Sequence, residues 1–220
     1  DGSILNNNAD ITNYGSIDIQ EGATVNGTGS YTQEQGGQII VNGELTQDSI
    51  NITGSGYLGG SGTVNGKVYA SGSDVIINAG NSPGTLKING NLTVEDGAKI
   101  ILEIGASGHD SLQVSGDFNF AEGTDIIFDF LDGFDETILE TFVLTDFFEA
   151  TSDDVNQPAP ALDMSFFAQM NFSFLSDLDE TVALNVGTNG QIVKVSEPTT
   201  LALLILCLSG LTLQRWRSVS

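Results

Sequence analysis

Along the first half of this chain, apolar and polar residues alternate in short runs, each closed by Gly, Asn or Asp. Ile17-Asp18-Ile19, Gln38-Ile39-Ile40-Val41, Val75-Ile76-Ile77, Leu86-Lys87-Ile88, Leu92-Thr93-Val94 and the run from Ile100 to Ile104 are examples. A period of two, rich in Val, Ile and Leu, predicts strands, and no window carries an apolar stripe of helical spacing and length. Asn-Gly pairs recur between the runs, at Asn26-Gly27, Asn42-Gly43, Asn65-Gly66 and Asn89-Gly90. Both residue types tolerate left-handed backbone angles and so turn the chain without strain.

Three of these pairs sit in kindred phrases, Val41-Asn42-Gly43-Glu44-Leu45-Thr46, Val64-Asn65-Gly66-Lys67-Val68-Tyr69 and Ile88-Asn89-Gly90-Asn91-Leu92-Thr93, spaced by 23 and 24 residues. A repeat in the low twenties without a helix predicts an all-β fold, a right-handed parallel β-solenoid (β-helix) with one coil per repeat. Each coil rises by roughly the strand spacing of 4.8 Å, so about five or six coils make a rod roughly 25 Å long. Asn-Gly is also the commonest two-residue hairpin turn, and a row of β-hairpins is the alternative.

The residue mix changes at Gly116. Up to that position lie 22 of the 27 glycines and all four tyrosines, and beyond it lie all 12 phenylalanines with five glycines. Residues 1–116 therefore read as Gly/Asn-rich coils, and 117–194 as a bulkier, acidic, Phe-rich end. An open solenoid end exposes unpaired strand edges and the apolar stack, so this second part is expected to widen the coil and cap it. Residues 151–161, with Pro158 and Pro160, are expected to form a loop. The N-terminal end has no comparable cap, which points to further coils upstream.

Three phrases follow one another in order: Leu58-Gly59-Gly60-Ser61-Gly62-Thr63-Val64-Asn65-Gly66, Ala79-Gly80-Asn81-Ser82-Pro83-Gly84-Thr85-Leu86 and His109-Asp110-Ser111-Leu112-Gln113-Val114-Ser115-Gly116. The series resembles the passenger repeats of autotransporter-type β-helix proteins, over roughly residues 10–130. The resemblance implies an exported β-helical stalk. The autotransporter's own membrane barrel has no counterpart, because residues 137–194 cannot supply its tilted strands and aromatic girdles.

Residues 195–220 form a third part: Val195-Ser196-Glu197-Pro198, an uncharged apolar run of fifteen residues from Thr199 to Leu213, then Gln214-Arg215-Trp216-Arg217. As a helix the run spans roughly 22 Å, short of a roughly 30 Å hydrocarbon core, and extension from Pro198 to Trp216 brings it close to spanning. Arg215 and Arg217 would then act as a basic stop on the cytoplasmic side. This layout resembles the PEP-CTERM sorting signal of Gram-negative bacteria, whose substrates are processed by exosortase. Glu197 and Pro198 match the signal; Ser196 stands where a Pro is usual, Gly210 is the one glycine of the apolar part, and Trp216 interrupts the basic cluster. The resemblance implies export, a transient hold in the inner membrane through 199–213, processing near 195–198 by an exosortase-type sorting enzyme, and delivery to the cell surface or extracellular matrix. An ordinary C-terminal membrane anchor is the alternative.

Charge narrows the partners. Against 29 acidic residues stand six basic ones, and ahead of Arg215 these are only Lys67, Lys87, Lys99 and Lys194. A body this acidic repels phosphate backbones and anionic lipid, so nucleic acid is excluded as a partner; extracellular polysaccharide is a possible one. Cys207, the single cysteine, lies inside the apolar tail, so the body cannot form a disulfide within itself.

Candidate chemistry is sparse. His109-Asp110-Ser111 has the residue types of a hydrolase triad, but adjacent residues cannot aim at one another as a triad requires, and the phrase reads as a turn opening a strand. β-Helix lyases pair acidic calcium ligands with a basic residue, and inverting hydrolases need two carboxyls roughly 6.5–9.5 Å apart, a spacing that abundant Asp and Glu meet by chance. Asp129, Asp132 and Asp135 with Gly133 miss the EF-hand pattern, and Gly59-Gly60-Ser61-Gly62-Thr63-Val64 begins like a calcium nonapeptide but lacks its Asp. No catalytic residue, metal site or cofactor is expected. The sequence points to a non-enzymatic, exported structural or adhesive protein, with a polysaccharide-active β-helix enzyme and a calcium-dependent adhesin as alternatives.

Overall fold

A computed structural model describes residues 2–81, 83–152, 162–176 and 183–195. Its strands stack in three columns, and the chain visits the columns in turn. The first face holds Ile4–Asn6, Thr24–Asn26, residues 44–46 and 63–65, Thr85–Asn89, Ser111–Val114 and Phe148–Ala150. The second holds Ile11–Asn13, Ser30–Gln33, residues 49–53 and 67–71, Leu92–Val94 and Phe118–Phe120. The third holds Ser16–Ile19, Gln38–Val41, Tyr57–Gly60, Ile76–Ala79, Lys99–Gly105, Asp125–Phe130 and Asn171–Ser176. Pairing within all three columns is parallel, which makes the body a β-solenoid and replaces the hairpin alternative. Antiparallel strand pairs join Lys99–Gly105 to Gly108–His109 and Ala183–Val186 to Ile192–Val195.

Side-chain alternation sets what faces inward. On the third face Ile39, Leu58, Ile77, Ile100 and Ile126 sit one above another and are buried completely, with 0% exposure. The first face contributes Leu45, Val64, Ile88 and Val114, and the second Tyr31, Ile50, Val68, Leu92 and Phe118. Branched aliphatic residues suit this stack, because a stiff χ1 packs well on a pleated surface.

The coils are unequal. On the third face Ser16 pairs with Gln38, Gln38 with Tyr57, Tyr57 with Ile76, Ile76 with Lys99, Lys99 with Asp125 and Asp125 with Asn171, steps of 22, 19, 19, 23, 26 and 46 residues. The 24-residue spacing of the Asn65 and Asn89 phrases is a true coil, since Val64 pairs with Ile88 and Asn65 with Asn89. The 23-residue spacing is not. Val64 pairs with Leu45, and Asn42-Gly43 turns a different corner, where Thr63 donates to the Gly43 carbonyl at 2.9 Å.

Asn65-Gly66 and Asn89-Gly90 share the corner between the first and second faces. Gly66 has φ +142° and Gly90 φ +152°, and a Cβ on Gly90 would lie 2.3 Å from the Gly66 carbonyl oxygen. Only glycine permits both the angle and the close stacking of successive corners.

The ladder runs through the change of composition at Gly116: Leu92 pairs with Phe118 and Val94 with Phe120. What changes there is the size of the core side chains. Between Phe130 and Asn171 the last coil carries a 3-10 helix, Glu136–Thr141, and two short α-helices, Leu144–Phe147 and Met164–Phe167. Phe147 leaves the second of these pieces to meet Phe128 with ring centroids 4.8 Å apart, while Phe167 meets Phe148 at 5.5 Å. The hairpin of Ala183–Val186 and Ile192–Val195 docks on this layer, Leu144 donating to the Gly190 carbonyl at 2.9 Å and Ile192 to that of Phe142 at 3.0 Å.

Two substitutions and a control test this packing by denaturant unfolding. Phe128→Ala should cost about 3–5 kcal/mol, the range for emptying an aromatic site in a core. Gly90→Ala should cost about 2 kcal/mol or more, from backbone strain plus a carbonyl contact. Gly133→Ala, where nothing lies within 4 Å of the new Cβ, should cost clearly less than Gly90→Ala.

Candidate functional site

Buried polar side chains are where a solenoid departs from simple stacking. Among the described residues those buried are Gln33, Gln47, Asp110 and Thr124, and Asp110 alone of these is ionisable, at 0% exposure. It sits where the third face turns into the first. The strand Lys99–Gly105 doubles back through Gly108–His109, and the Asp110 N–H donates to the Glu103 carbonyl at 2.8 Å. That return aims the Asp110 side chain inward. Its Oδ1 accepts from the Gly84 N–H at 2.9 Å, one coil below, and its Oδ2 from the Glu103 N–H at 3.1 Å.

The corner is fitted to this carboxylate. A Cβ on Gly80, at φ +120°, would fall 2.0 Å from Asp110 Oδ1. Thr85 and Leu86 pair in register with Ser111 and Leu112, and the Thr85 and Ser111 hydroxyls lie 2.9 Å apart. The Ala79–Leu86 and His109–Gly116 phrases are therefore stacked neighbours, and the carboxylate of the second caps the turn of the first. Burial pushes the Asp110 carboxyl up to about 6, against the two N–H groups that pull it down.

These contacts also dispose of a triad. His109 Nδ1 lies 3.0 Å from the Asp110 carbonyl oxygen, which can only accept, so Nδ1 carries the proton. The imidazole packs on Phe147 and Phe142, with centroids 4.7 and 5.5 Å away. Asp110 has turned from it into the coil, and Ser111 opens the strand Ser111–Val114.

Other sequence candidates are scattered. Asp129 lies on the third face, paired with Glu103. Asp135 caps the 3-10 helix, its Oδ1 accepting from the Thr137 N–H at 2.9 Å and hydroxyl at 2.7 Å. Among the described residues no three His, Cys, Asp or Glu side chains gather to hold a metal ion. Gly60 and Gly62 of the nonapeptide-like phrase press against Val41 and Gly43 backbone, making a corner. An open groove of about 380 Å³ runs beside Phe118, Phe120, Phe166, Gln169 and Met170, with Glu95 at its margin.

Of the tail motif, Val195 closes the strand Ile192–Val195. Ser196, Glu197, Pro198, the run Thr199–Leu213, Arg215 and Arg217 lie outside the described residues. Among the described residues no helix is long and apolar enough to cross a membrane. The capping role of Asp110 escaped the sequence reading. Its signal was the 26-residue offset that sets Gly84-Thr85-Leu86 under Asp110-Ser111-Leu112.

Asp110→Ala should cost about 1–3 kcal/mol in unfolding free energy by leaving two backbone N–H groups without acceptors. Because the folded carboxyl titrates at about 6, above its ordinary 3.8, the folded chain binds this proton more tightly between those values. The group's contribution to stability therefore rises as pH falls through 6 and levels off below about 4. Urea unfolding from pH 7 to 4 should show that gain in the native chain and a smaller one in Asp110→Asn.

No family model, no curated protein and no solved structure matches this chain.

Proposed function

We propose that this chain is an exported, non-enzymatic structural or adhesive protein of the cell surface or extracellular matrix. The observation that carries the reading is the tail: Glu197-Pro198, the apolar run Thr199–Leu213 and the basic pair Arg215 and Arg217, in the order of a PEP-CTERM-like sorting signal. The apolar run holds the chain in the inner membrane, the basic pair stops it, and the Val195–Pro198 stretch is offered to an exosortase-type sorting enzyme. The body suits such a destination. Its order comes from ladders of backbone hydrogen bonds repeated coil after coil, and its acidity keeps an unshielded rod soluble. Asp110, the one buried carboxylate among the described residues, has both oxygens engaged by backbone N–H groups, which favours a structural over a catalytic role for it.

The test is the intact mass and cell fraction of the protein, made in a host with and without the matching sorting enzyme. With the enzyme, the species outside the inner membrane should lack residues from about 199 to 220. Without it, the full mass should stay with the membrane. Retention of the tail in both strains would make 199–213 a plain anchor and remove the matrix assignment.

A further inference from the structure

The three outer surfaces of the solenoid differ. On the first face the outward column reads Thr24, Glu44, Thr63, Lys87 and Gln113, and on the second Thr12, Thr32, Asn51, Tyr69, Thr93 and Asn119. Both are polar apart from Tyr69 and, at the N-terminal end of the first, Ile4, which pairs with Thr24. The third face carries Ile40, Tyr57, Ile76, Ile101 and Ile127 on its outer side, on five successive strands and staggered over two outward columns: Ile40, Gly59, Asn78, Ile101 and Ile127 in one, Gln38, Tyr57, Ile76, Lys99 and Asp125 in the other. Their strand neighbours Ile39, Leu58, Ile77, Ile100 and Ile126 already fill the core, so alternation leaves these five side chains outside, half-buried by one another. An apolar side chain on the outer side of each of these strands, in a row interrupted by Asn78, marks this face of a mostly polar rod as a contact surface.

Tyr57 shapes that surface. Its ring lies along the sheet over Gly59, where an added Cβ would meet Tyr57 Cε1 at 2.6 Å and its hydroxyl at 2.8 Å. The aromatic ring is thus laid down along its own strand instead of projecting as a knob. Glycine at 59 is what admits it. Burial in this bed pushes the phenol above its ordinary range.

We propose that the outer surface of the third face is a binding strip for a neutral, β-linked polysaccharide, whose sugar rings lay their apolar faces on this row. Equatorial linkages give such a chain a flat ribbon shape with C–H faces, which stack on an aromatic ring and on flush aliphatic groups. Hydroxyls of the ribbon find Asn78 within the row, Lys99 and Asp125 in the column that holds Tyr57 and Ile76, and Glu103 on the opposite side.

Size and charge decide against a protein partner. Four strand spacings give the row a length of roughly 19 Å, and two outward columns a width of roughly 10 Å. The resulting area, roughly 200 Å², is far below the roughly 800 Å² that each side of a stable protein interface buries. A flush surface also lacks the ridges that packed sheets interdigitate. A second copy would bring a net charge of −23 against −23, and an anionic polymer meets the same repulsion.

The proposal rests on the matrix reading above for its setting, while its chemistry stands on the third face alone. The test is cosedimentation of the full chain, kept soluble in detergent, with microcrystalline cellulose, with chitin and with cross-linked polygalacturonate. Retention on cellulose or chitin but not on polygalacturonate is expected, weakened about tenfold or more by Tyr57→Ala and by Ile101→Asp. Tyr69→Ala, on the second face, should leave retention unchanged. Ile101→Thr, which keeps a β-branched residue, guards against misfolding, with circular dichroism checking each variant; it should weaken retention while keeping the spectrum. No retention on either neutral polymer, equal loss from Tyr69→Ala, or preference for polygalacturonate overturns the proposal. So does a dimer in sedimentation equilibrium that Ile101→Asp dissolves. A chain that is cut and released but does not bind sugar sinks this inference and spares the sorting reading; one that binds sugar but keeps its tail does the reverse.

Discussion

Every coil of this molecule must place its backbone N–H and C=O groups against those of the coils above and below. That requirement governs the rest, because an unpaired buried backbone group costs about as much as a lost hydrogen bond. It fixes three columns of parallel strands and forces each coil to repeat the outline of the last. Sequence freedom is left only at the corners and on the outward side chains. Third-face steps of 19 and 26 residues pair equally well, because the difference is taken up where the chain turns. The Asp110 corner belongs to the longest of the regular coils. There the extra residues fold back as Gly108–His109, and the carboxylate caps backbone N–H groups of Gly84 and Glu103.

The same requirement explains the switch from aliphatic to aromatic core. Inside the stack, Val, Leu and Ile of one coil are covered by those of the next, and the cross-section stays narrow. At the C-terminal end the last strands have no following coil of the same outline. Chain between Phe130 and Asn171 rejoins the ladder at Phe148–Ala150, and its described remainder includes short helices, which cannot reproduce the ladder and must be joined to it by side-chain bulk. Phe128, Phe147, Phe148 and Phe167 supply that bulk, with ring centroids 4.8 to 5.5 Å apart in the pairs that bridge strand and helix.

Strand alternation and the Asn-Gly corners made the solenoid readable from the sequence, since both are local and depend on residue types with few other uses. The register was readable only in part. Asn65-Gly66 and Asn89-Gly90 stack as their spacing predicted, but Asn42-Gly43 is the same local device placed at another corner. Dipeptide chemistry specifies that the chain turns, and only the long-range ladder says which corner it is. The change at Gly116 was visible as composition, yet the ladder passes through it, because a Phe pairs with a Leu as readily as a Leu does. Asp110 could not be read as a cap, because its partners, Gly84 and Glu103, belong to different coils and are joined only by stacking. The outward Ile row was hidden for a related reason: Gln38-Ile39-Ile40-Val41 and Val75-Ile76-Ile77 do not say which isoleucine faces out until the register is set.

Such a fold separates two kinds of surface property. Inward positions are constrained by the neighbouring coils, so a polar group there must bring its own partners, as Asp110 does with two backbone N–H groups. Outward positions are almost free of the fold, since a strand pairs through its backbone whatever it displays to solvent. Free positions on an acidic solenoid drift toward polar residues, and the first and second faces mostly follow that expectation, with Thr, Asn, Gln, Glu and Lys beside Tyr69 and Ile4. Outward isoleucines on four of five successive third-face strands, with a tyrosine bedded on a glycine on the other, run against it. Nothing in the ladder requires those side chains, and water opposes them, so their presence is an argument about what the third face meets and not about how the coil is built.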